Sequence, residues 1–504
     1  MLNIPSKKIQ IALWVLAFAY LLLIRIGNLY LLGLFDYDAV TNYTIITELA
    51  KGDFSRFFHH ASPLFYLFFL PFYLLEKSHV WLEYIFAAFN VFSLWAFIKA
   101  FSQKLNADFY WQLAVFLIAG SGMTYFASSR YFSIDSFSLS FLFVAFYFFY
   151  TCIYEEAKTY HWLLAWLGLG AAICSNYKHL IFLALFVTYL FFKKDKHVKA
   201  TQWFYALSAL LIIPVLMILL AWAKGIEVLT YPKYFWVQAF VKDMNPYAEV
   251  PPLRLDVDFY FKYLFSFEPA WLLLGFAFIF FLVVHFKKVI EIAKQNPALR
   301  YIFIISFPYL LLICFLQKAP RGLLPVYLPF GFFLFFYCTH FIRKMWFIAL
   351  CTVIFTWQSL LVFQEFYRHE QNGYQKMAEL LNEQQIDKII ITSGKGLLPY
   401  LSSEVEYKIV FHQDEIAPLK KMGYQYLLVD YFYLVAHPKN FSQIKLENML
   451  FSTSEATLLN SMLFLEHSEY TGLSYGQTLQ NYKKILNLNN QLHLIRLTDG
   501  TKPQ

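Results

Sequence analysis

Long apolar runs recur along residues 1–366 and constrain the fold more than any other feature of the chain. Most of them extend over about 16–25 residues and are separated by short loops that carry the charged side chains. Of the 504 residues, 59% are hydrophobic and 15% are charged, which excludes an ordinary soluble globular protein. The sequence therefore predicts a polytopic α-helical membrane protein.

The placement of lysine and arginine predicts how the spans are oriented. Lys7 and Lys8 precede the first run, Ile9–Leu34, which we interpret as an uncleaved anchor whose N-terminal end is cytoplasmic. The run Pro63–Leu75 is too short to cross a hydrocarbon core of about 30 Å and is predicted to be re-entrant or juxtamembrane. A count of about eleven spans then keeps the lysine-rich loops in the cytoplasm and puts the C-terminal part outside.

The net charge of +8 follows the same pattern, because most Lys and Arg residues stand at the ends of apolar runs. We therefore predict no nucleic-acid partner. The five cysteines lie inside apolar runs without metal-ligand spacing, and we interpret them as small core residues.

The composition changes after residue 366, where we predict a second domain over 367–504. Lys388–Thr392 and the segments EYKIVF and QYLLVDYFYLV are candidate strands, and helical patterns stand between them. This alternation predicts a small extracytoplasmic α/β domain. The turn Ser393–Gly396 has lysine and glycines that could cradle a phosphate, but it lacks P-loop spacing and an ordinary turn is favoured.

The loop 35–62 after the first run is the strongest candidate for a functional site. It opens with Asp36 and Asp38, continues as a short amphipathic helix to about Ala50, and reaches His59 and His60. Acidic groups held against a membrane between apolar helices are costly, so they indicate function.

Three further polar clusters are predicted at the same membrane face. SSRYFSID contains Arg130 and Asp135, SNYKHL contains Lys178, and QKAPRGLLPVYLP contains Lys318 and Arg321. Together with the aspartates they predict an outward-facing cavity that is acidic at one end and basic at the other. Such cations suit a phosphate, and a carboxylate can take a proton from a nucleophile or hold a metal ion. A phosphate at the lipid boundary suggests a polyprenyl-phosphate-linked substrate.

These four segments, in this order, resemble the GT-C class of membrane glycosyltransferases. The resemblance is greatest to the bacterial branch with lipid A aminoarabinose transferases and protein O-mannosyltransferases. The acidic segment FDYDAVTNYTIITELAKGD with HHASPLFYLF, SRYFSID, GLGAAICSNYKHL and KAPRGLLPVYLP match the family's motifs over about residues 9–345. Three positions depart from the family pattern: Tyr37 separates the acidic pair, Ser62 replaces a proline, and Gly322 replaces an aromatic residue.

The resemblance implies a GT-C-like bacterial inner-membrane enzyme that inverts the sugar as it transfers it from a polyprenyl-phosphate donor to a glycan, lipid or protein. Asp36 or Asp38 would be the catalytic base. The residues implied to bind the donor phosphate are Lys178, Lys318 and Arg321. Those implied to line the acceptor or sugar pocket are His59, His60, Arg130 and Asp135.

Three questions stay open from the sequence. A transporter or flippase would use the same charges without breaking bonds, although no internal repeat supports alternating access. A polysaccharide polymerase or ligase would use a diphosphate-linked donor. A divalent cation could bind the histidines and aspartates, but adjacent histidines are not the i, i+4 pair of a helical metal site.

Overall fold

The structure is a computed structural model. It describes residues 6–34, 36–192, 198–237, 255–315, 319–367, 373–434, 440–453, 465, 473–488 and 490–497. Lys318, predicted to bind phosphate, lies outside the described residues.

Apolar helices form the larger part of the molecule. The helices of the first 237 residues are α1 (Lys7–Ile26), α2 (Leu29–Leu32), α3 (Tyr37–Ala50), α4 (Pro63–Leu75), α5 (His79–Lys104), α6 (Phe109–Ser121), α7 (Met123–Ser128), α8 (Ile134–Tyr154), α9 (Thr159–Ser175), α10 (Leu180–Phe192), α11 (Ala200–Ala223) and α12 (Thr230–Trp236). Those that follow are α13 (Asp258–Phe267), α14 (Pro269–Val284), α15 (Phe286–Gln295), α16 (Pro297–Ile313), α17 (Leu324–Phe341) and α18 (Lys344–Phe366).

Within the described residues, six stretches are long and apolar enough to cross a membrane. They are Lys7–Leu32, His79–Lys104, Ile134–Tyr154, Ala200–Ala223, Pro320–Phe341 and Lys344–Phe366. The number rises to eight if the pairs α13–α14 and α15–α16, bent by 114° and 103°, each form one span. The predicted eleven spans are therefore not confirmed, because α6 and α10, which were counted among them, are short and a helix of 13 residues is about 20 Å long.

Proline and a buried carboxylate explain the break between α13 and α14. Pro269 begins α14, which is favoured because proline lacks the N–H that a first helical residue cannot use. The carboxylate of Glu268 beside it accepts hydrogen bonds from the backbone N–H of Thr124 at 2.6 Å and the hydroxyl of Tyr327 at 2.7 Å. These partners compensate for its complete burial and tie the break to α7 and α17.

Arg25 makes a similar connection within the first span. Its side chain is buried, and it donates to the hydroxyl of Ser129 at 2.7 Å and to the backbone O atoms of Leu21 and Gly120 at 2.9 and 2.6 Å. A buried cation in an apolar helix requires such acceptors. Arg25 therefore fixes α1 against α6 and the loop after α7.

A small α/β domain follows the helices, as predicted. It consists of α19 (Gly373–Glu383), β1 (Lys388–Thr392), β2 (Glu406–Val410), α20 (Ile416–Lys421), β3 (Tyr426–Asp430), α21 (Tyr431–Leu434), β4 (Met449–Thr453), α22 (Tyr475–Leu486) and β5 (Leu492–Arg496). The strand order is β2-β1-β3-β5-β4; β1 pairs in parallel with β2 and β3, and β5 pairs antiparallel with β3 and β4. The predicted strands Lys388–Thr392 and EYKIVF are confirmed as β1 and β2. Only the YLLVD part of the third, QYLLVDYFYLV, is a strand (β3), because Tyr431–Leu434 forms α21.

The two faces of β1 pack into different clusters, as its alternating side chains require. Ile389 and Ile391 pack with the apolar face of α19, whereas Ile390 packs on the opposite face. The cluster of Ile389 is extended by Leu398, from the segment after β1, and by Tyr37 of α3. The C-terminal domain is therefore packed directly against α3, the helix that carries Asp38.

Candidate active site

The acidic pair stands at the N-terminal end of α3. Asp36 precedes the helix with extended backbone angles, φ −84° and ψ 139°, and Asp38 lies in the first turn. Negative charge is favoured here because the first N–H groups of a helix point toward this end. The hydroxyl of Thr41 donates to the backbone O of Tyr37 at 2.9 Å. Both carboxylates are thus presented by a defined helical turn.

Arg321 joins the acidic pair to a third carboxylate. Its Nη1 lies 3.0 Å from Oδ2 of Asp38 and 3.7 Å from Oδ2 of Asp135. The side chains of Arg321, Asp38 and Asp135 are 11%, 15% and 8% exposed, so water screens their charges only weakly. One guanidinium thus connects α3 with the first turn of α8.

Asp135 also contacts two groups from the segment after α9. The Nδ2 of Asn176 donates to its Oδ1 at 2.6 Å, and the Nζ of Lys178 lies 3.8 Å from the same oxygen. Asn176 accepts the backbone N–H of Lys178 at 3.1 Å and so also fixes the 3-10 turn Tyr177–His179. The side chain of Lys178 is 34% exposed, so Lys178 is more accessible than Arg321.

The 3-10 turn Pro320–Leu323 holds Arg321 in place before α17. The hydroxyl of Tyr309 donates to the backbone O of Gly322 at 3.0 Å. A Cβ atom on Gly322 would lie 2.8 Å from the hydroxyl oxygen of Tyr260. A side chain at position 322 would therefore require the Tyr260 hydroxyl of α13 to shift.

His59 and His60 lie beside the acidic pair. The Nε2 of His60 is 3.5 Å from Oδ1 of Asp38, and the two imidazole rings are 4.1 Å apart. His60 and Ala61 have φ angles of 52° and 53°, a left-handed conformation that costs about 1–3 kcal/mol for each residue other than glycine. The hydroxyl of Tyr66 supports the segment by donating to the backbone O of His59 at 3.2 Å.

Burial and neighbouring charges separate the two aspartates in acidity. Burial, reinforced by the charge of Asp38, raises the pKa of Asp36 to about 7. Burial opposes ionisation of Asp38 too, but His60 and Arg321 outweigh it and hold the pKa of Asp38 well below its usual range. Burial and nearby cations lower the pKa of His59 to about 2, so its imidazole is neutral at pH 7. Paired carboxyl groups with separated pKa values are suited to different roles in acid–base chemistry.

The fold of the whole chain is similar to that of a solved structure. The crystal structure of ArnT from Cupriavidus metallidurans in the apo state superposes with a TM-score of 0.56, covering 86% of this chain and 94% of that chain. The chain has the fold of this ArnT. The sequences are 12% identical, so the likeness establishes the fold. The structure of the same ArnT bound to undecaprenyl phosphate matches with a TM-score of 0.49, at 12% identity, over 97% of this chain and 99% of that one. No protein-family model and no curated protein matches the sequence.

On this ArnT fold, Arg130 is directed away from the carboxylate cluster. Its Nη1 donates to the backbone O of Ile24 at 3.3 Å, and its guanidinium lies over the ring of Phe366 at 5.2 Å. Asp135 is only five positions further on, but Phe132 between them has a φ of 43° that turns the chain. The structure thus brings Asp38, His60, Asp135, Lys178 and Arg321 together and directs Arg130 toward α1 and α18.

A metal site is not evident in the part of the chain that the structure describes. No three side chains of the types His, Cys, Asp and Glu are grouped there as metal ligands. His60 and Asp38 are neighbours, but Asp38 is engaged by Arg321. The divalent cation considered from the sequence stays a hypothesis.

Two residues that the sequence did not identify as site residues belong to this region. Asn176 binds Asp135, and its only sequence signal is its position before Lys178. Lys395, in the turn after β1, donates from Nζ to the hydroxyl of Thr41 at 2.9 Å. No local pattern relates that turn to α3, because the contact depends on how the two domains pack.

Proposed function

We propose that this protein transfers a sugar from a polyprenyl-monophosphate donor to a hydroxyl or amine acceptor at the outer face of the bacterial inner membrane. The observation that supports this proposal is the convergence of carboxylates and cations on a GT-C fold. Asp38, Asp135, Lys178 and Arg321 come from four separated segments and meet where α8 and α17 begin and α9 ends. In this proposal the acidic pair supplies the base and the cations bind the phosphate that leaves.

Arg321 and Lys178 are the groups that would hold the donor phosphate, with Lys318 as a third candidate. Guanidinium and ammonium groups are natural phosphate partners, and they stabilise the charge that develops on a leaving phosphate. The guanidinium of Arg321 is engaged by Asp38 and Asp135. A donor phosphate would compete with these carboxylates, so its binding would weaken the Arg321–Asp38 pair and increase the negative character of the acidic pair.

Asp36 is the better candidate for the base. A general base is most effective when its pKa lies near the working pH, and the pKa of Asp36 is about 7. Asp38 is held ionised by Arg321 and His60 and would orient this end of α3. In the proposed step the acceptor oxygen or nitrogen bonds to the anomeric carbon and the bond to the phosphate oxygen breaks. The acceptor proton passes to Asp36, and polyprenyl phosphate leaves on the opposite side, which inverts the sugar.

His59, His60 and Asp135 would line the sugar or acceptor pocket. His59 is neutral and so can both donate and accept a hydrogen bond to sugar hydroxyls. Arg130 belongs to a different environment, and we assign it the role of holding α1 to α18 rather than of contacting the sugar.

The decisive test is a transfer assay on purified protein in detergent. Polyprenyl-monophosphate sugars are supplied with a set of acceptors, and release of polyprenyl phosphate is followed by mass spectrometry. We expect release by the wild type and none by the Asp36→Asn/Asp38→Asn double variant, while the exposed-site variant Asp53→Asn retains activity. Release only from diphosphate-linked donors would instead favour a polymerase or ligase, and donor binding without release would favour a transporter.

A further inference from the structure

The turn between β1 and the following 3-10 turn, Leu398–Tyr400, is held firmly by its own domain. A Cβ atom on Gly396 would lie 2.3 Å from Cε2 of Tyr374, so the turn can pack this closely only with glycine there. The hydroxyl of Tyr374 donates to Oδ2 of the buried Asp430 at 2.6 Å, which fixes the ring. Lys395, one residue before Gly396, is therefore presented from a rigid support rather than from a free loop.

Lys395 reaches across the domain boundary to the first turn of α3. Its Nζ donates to the hydroxyl of Thr41 at 2.9 Å and lies 3.9 Å from the centre of the Tyr37 ring. Thr41 in turn donates its hydroxyl proton to the backbone O of Tyr37 at 2.9 Å. The ammonium group therefore contacts Tyr37 in two ways. It lies over the aromatic ring, and it donates to the Thr41 hydroxyl, which in turn donates to the backbone O of Tyr37.

Tyr37 is the residue that separates Asp36 from Asp38. We propose that Lys395 is a positioning residue, supplied to the active site by the C-terminal domain, which locks the first turn of α3 and so sets the orientation of the two aspartates. This inference rests on the proposed function for its catalytic consequence. The contacts of Lys395 with Thr41 and Tyr37, which we call the clamp, can be measured without a donor. The clamp also gives a physical role to the residue by which this acidic pair departs from the adjacent pair of the GT-C motif.

The charges around Lys395 are consistent with this role. Arg56, Asp38 and Glu48 act on its ammonium group, and Arg56 is itself paired with Glu48 at 3.0 Å. Lys395 acts in turn on the neighbouring His59. Burial is the main cause that lowers the pKa of Lys395 to about 8, with Arg56 contributing in the same direction. The lysine is thus enclosed between the two domains and stays protonated at neutral pH.

Further packing supports the contact between the domains. The rings of Tyr400, from the C-terminal domain, and His79, at the start of α5, are 5.6 Å apart. The His79 ring lies 5.9 Å from that of Tyr43 in α3. The clamp at Lys395 is therefore one end of a surface that follows α3 for more than one turn.

Hydrogen exchange on the full-length protein measures the clamp directly. The N–H of Val40 is bonded to the backbone O of Asp36 at 3.1 Å and reports on the first turn of α3. We expect Lys395→Ala to accelerate exchange in this turn about tenfold, because a partly buried hydrogen bond and a cation–π contact are lost together. Lys395→Arg should restore part of the protection. Lys408→Ala, an exposed lysine of β2, is the matched control and should change nothing.

The transfer assay then measures the consequence for the reaction. In Lys395→Ala we expect kcat to fall about tenfold or more, since a small misplacement of a catalytic group is costly. The acid limb of the pH profile should move to lower pH as Asp36 becomes more hydrated, a change that a general loss of folded protein would not produce.

Unchanged exchange in α3 would overturn the clamp, and changed exchange with unaltered rate and pH profile would overturn the positioning role. If the wild type releases polyprenyl phosphate from no donor, the proposed function fails, and the exchange experiment alone decides whether Lys395 locks the turn.

Discussion

Arg321 and Asp38 form an ion pair of 3.0 Å between residues 283 positions apart in the sequence. The same Nη1 lies 3.7 Å from Asp135, so a single guanidinium balances two carboxylates at the ends of different helices. Because a donor phosphate would draw on the same cation, we infer that donor binding and the electrostatic state of the acidic pair are coupled. Removing Arg321 or Asp38 should therefore affect both donor binding and the chemical step of transfer.

Replacement of Arg321 tests this coupling. Arg321→Ala removes the phosphate contact and leaves Asp38 facing Asp135 without a cation between them, so we expect kcat/KM to fall about 10²–10³-fold. Arg321→Lys keeps the charge without the planar fork and should give an intermediate rate. Lys262→Ala, at an exposed ion pair with Asp258, is the control for loss of a cation. Wild-type kinetics in Arg321→Ala would contradict the assignment.

The pH dependence of transfer should identify the base. If only ionised Asp36 accepts the proton, kcat/KM should decrease about tenfold per pH unit below a pKa of about 7. Asp38→Asn removes a like charge that raises this pKa, so the acid limb should move to lower pH. Steady-state rates between pH 5 and pH 9, with Asp53→Asn as control, measure the shift. A limb that stays at the same pH in Asp38→Asn would assign it to another group.

Much of the helical architecture could be predicted, but the number of spans could not. Long runs such as α5, α8 and α11 are recognisable because length and hydropathy decide whether a helix can cross a membrane. The region from Asp258 to Ile313 reads as further apolar runs, yet its helices are sharply bent at Glu268 and Asn296. Hydropathy alone does not reveal such breaks, because they depend on partners such as Thr124 and Tyr327 elsewhere in the chain.

In the site too, some residues can be identified from the local sequence and others only from long-range packing. The charged residues of the site can be identified from the sequence because placing an ionised side chain at a membrane boundary costs free energy, which indicates a functional role. Arg130 and Asp135 stand close together in sequence, but the positive φ of Phe132 separates their surroundings. Asn176 carries no unusual local signal, and the Ser393–Gly396 turn that holds Lys395 is favoured as an ordinary turn. Only the packing of α8 on α9 and of the C-terminal domain on α3 brings these two residues into the site.

Asn176 should prove important for stability as well as for donor binding. Asn176→Ala leaves the buried Oδ1 of Asp135 without the donor at 2.6 Å, which we expect to cost about 1–3 kcal/mol. Asn176→Asp should be worse, because it places a second negative charge against Asp135. Because Asn176 also fixes the backbone of Lys178, the KM for the donor should rise more than kcat falls. Thermal unfolding in detergent and steady-state kinetics measure both effects, with Asn382→Ala on the exposed face of α19 as control.

The glycine at position 322 offers a test of the packing that positions Arg321. Gly322→Phe restores the aromatic residue of the GT-C motif, but its Cβ would lie 2.8 Å from the hydroxyl oxygen of Tyr260. We expect this change to displace the turn Pro320–Leu323 and to reduce transfer about tenfold or more, since overpacking here moves Arg321. Tyr260→Ala opens the space that the new ring needs.

Gly322→Phe/Tyr260→Ala should therefore be more active than Gly322→Phe alone, while Tyr260→Ala by itself serves as the reference for the lost tyrosine. If the double variant is no better than the product of the two single effects, Tyr260 is not what excludes an aromatic residue at position 322.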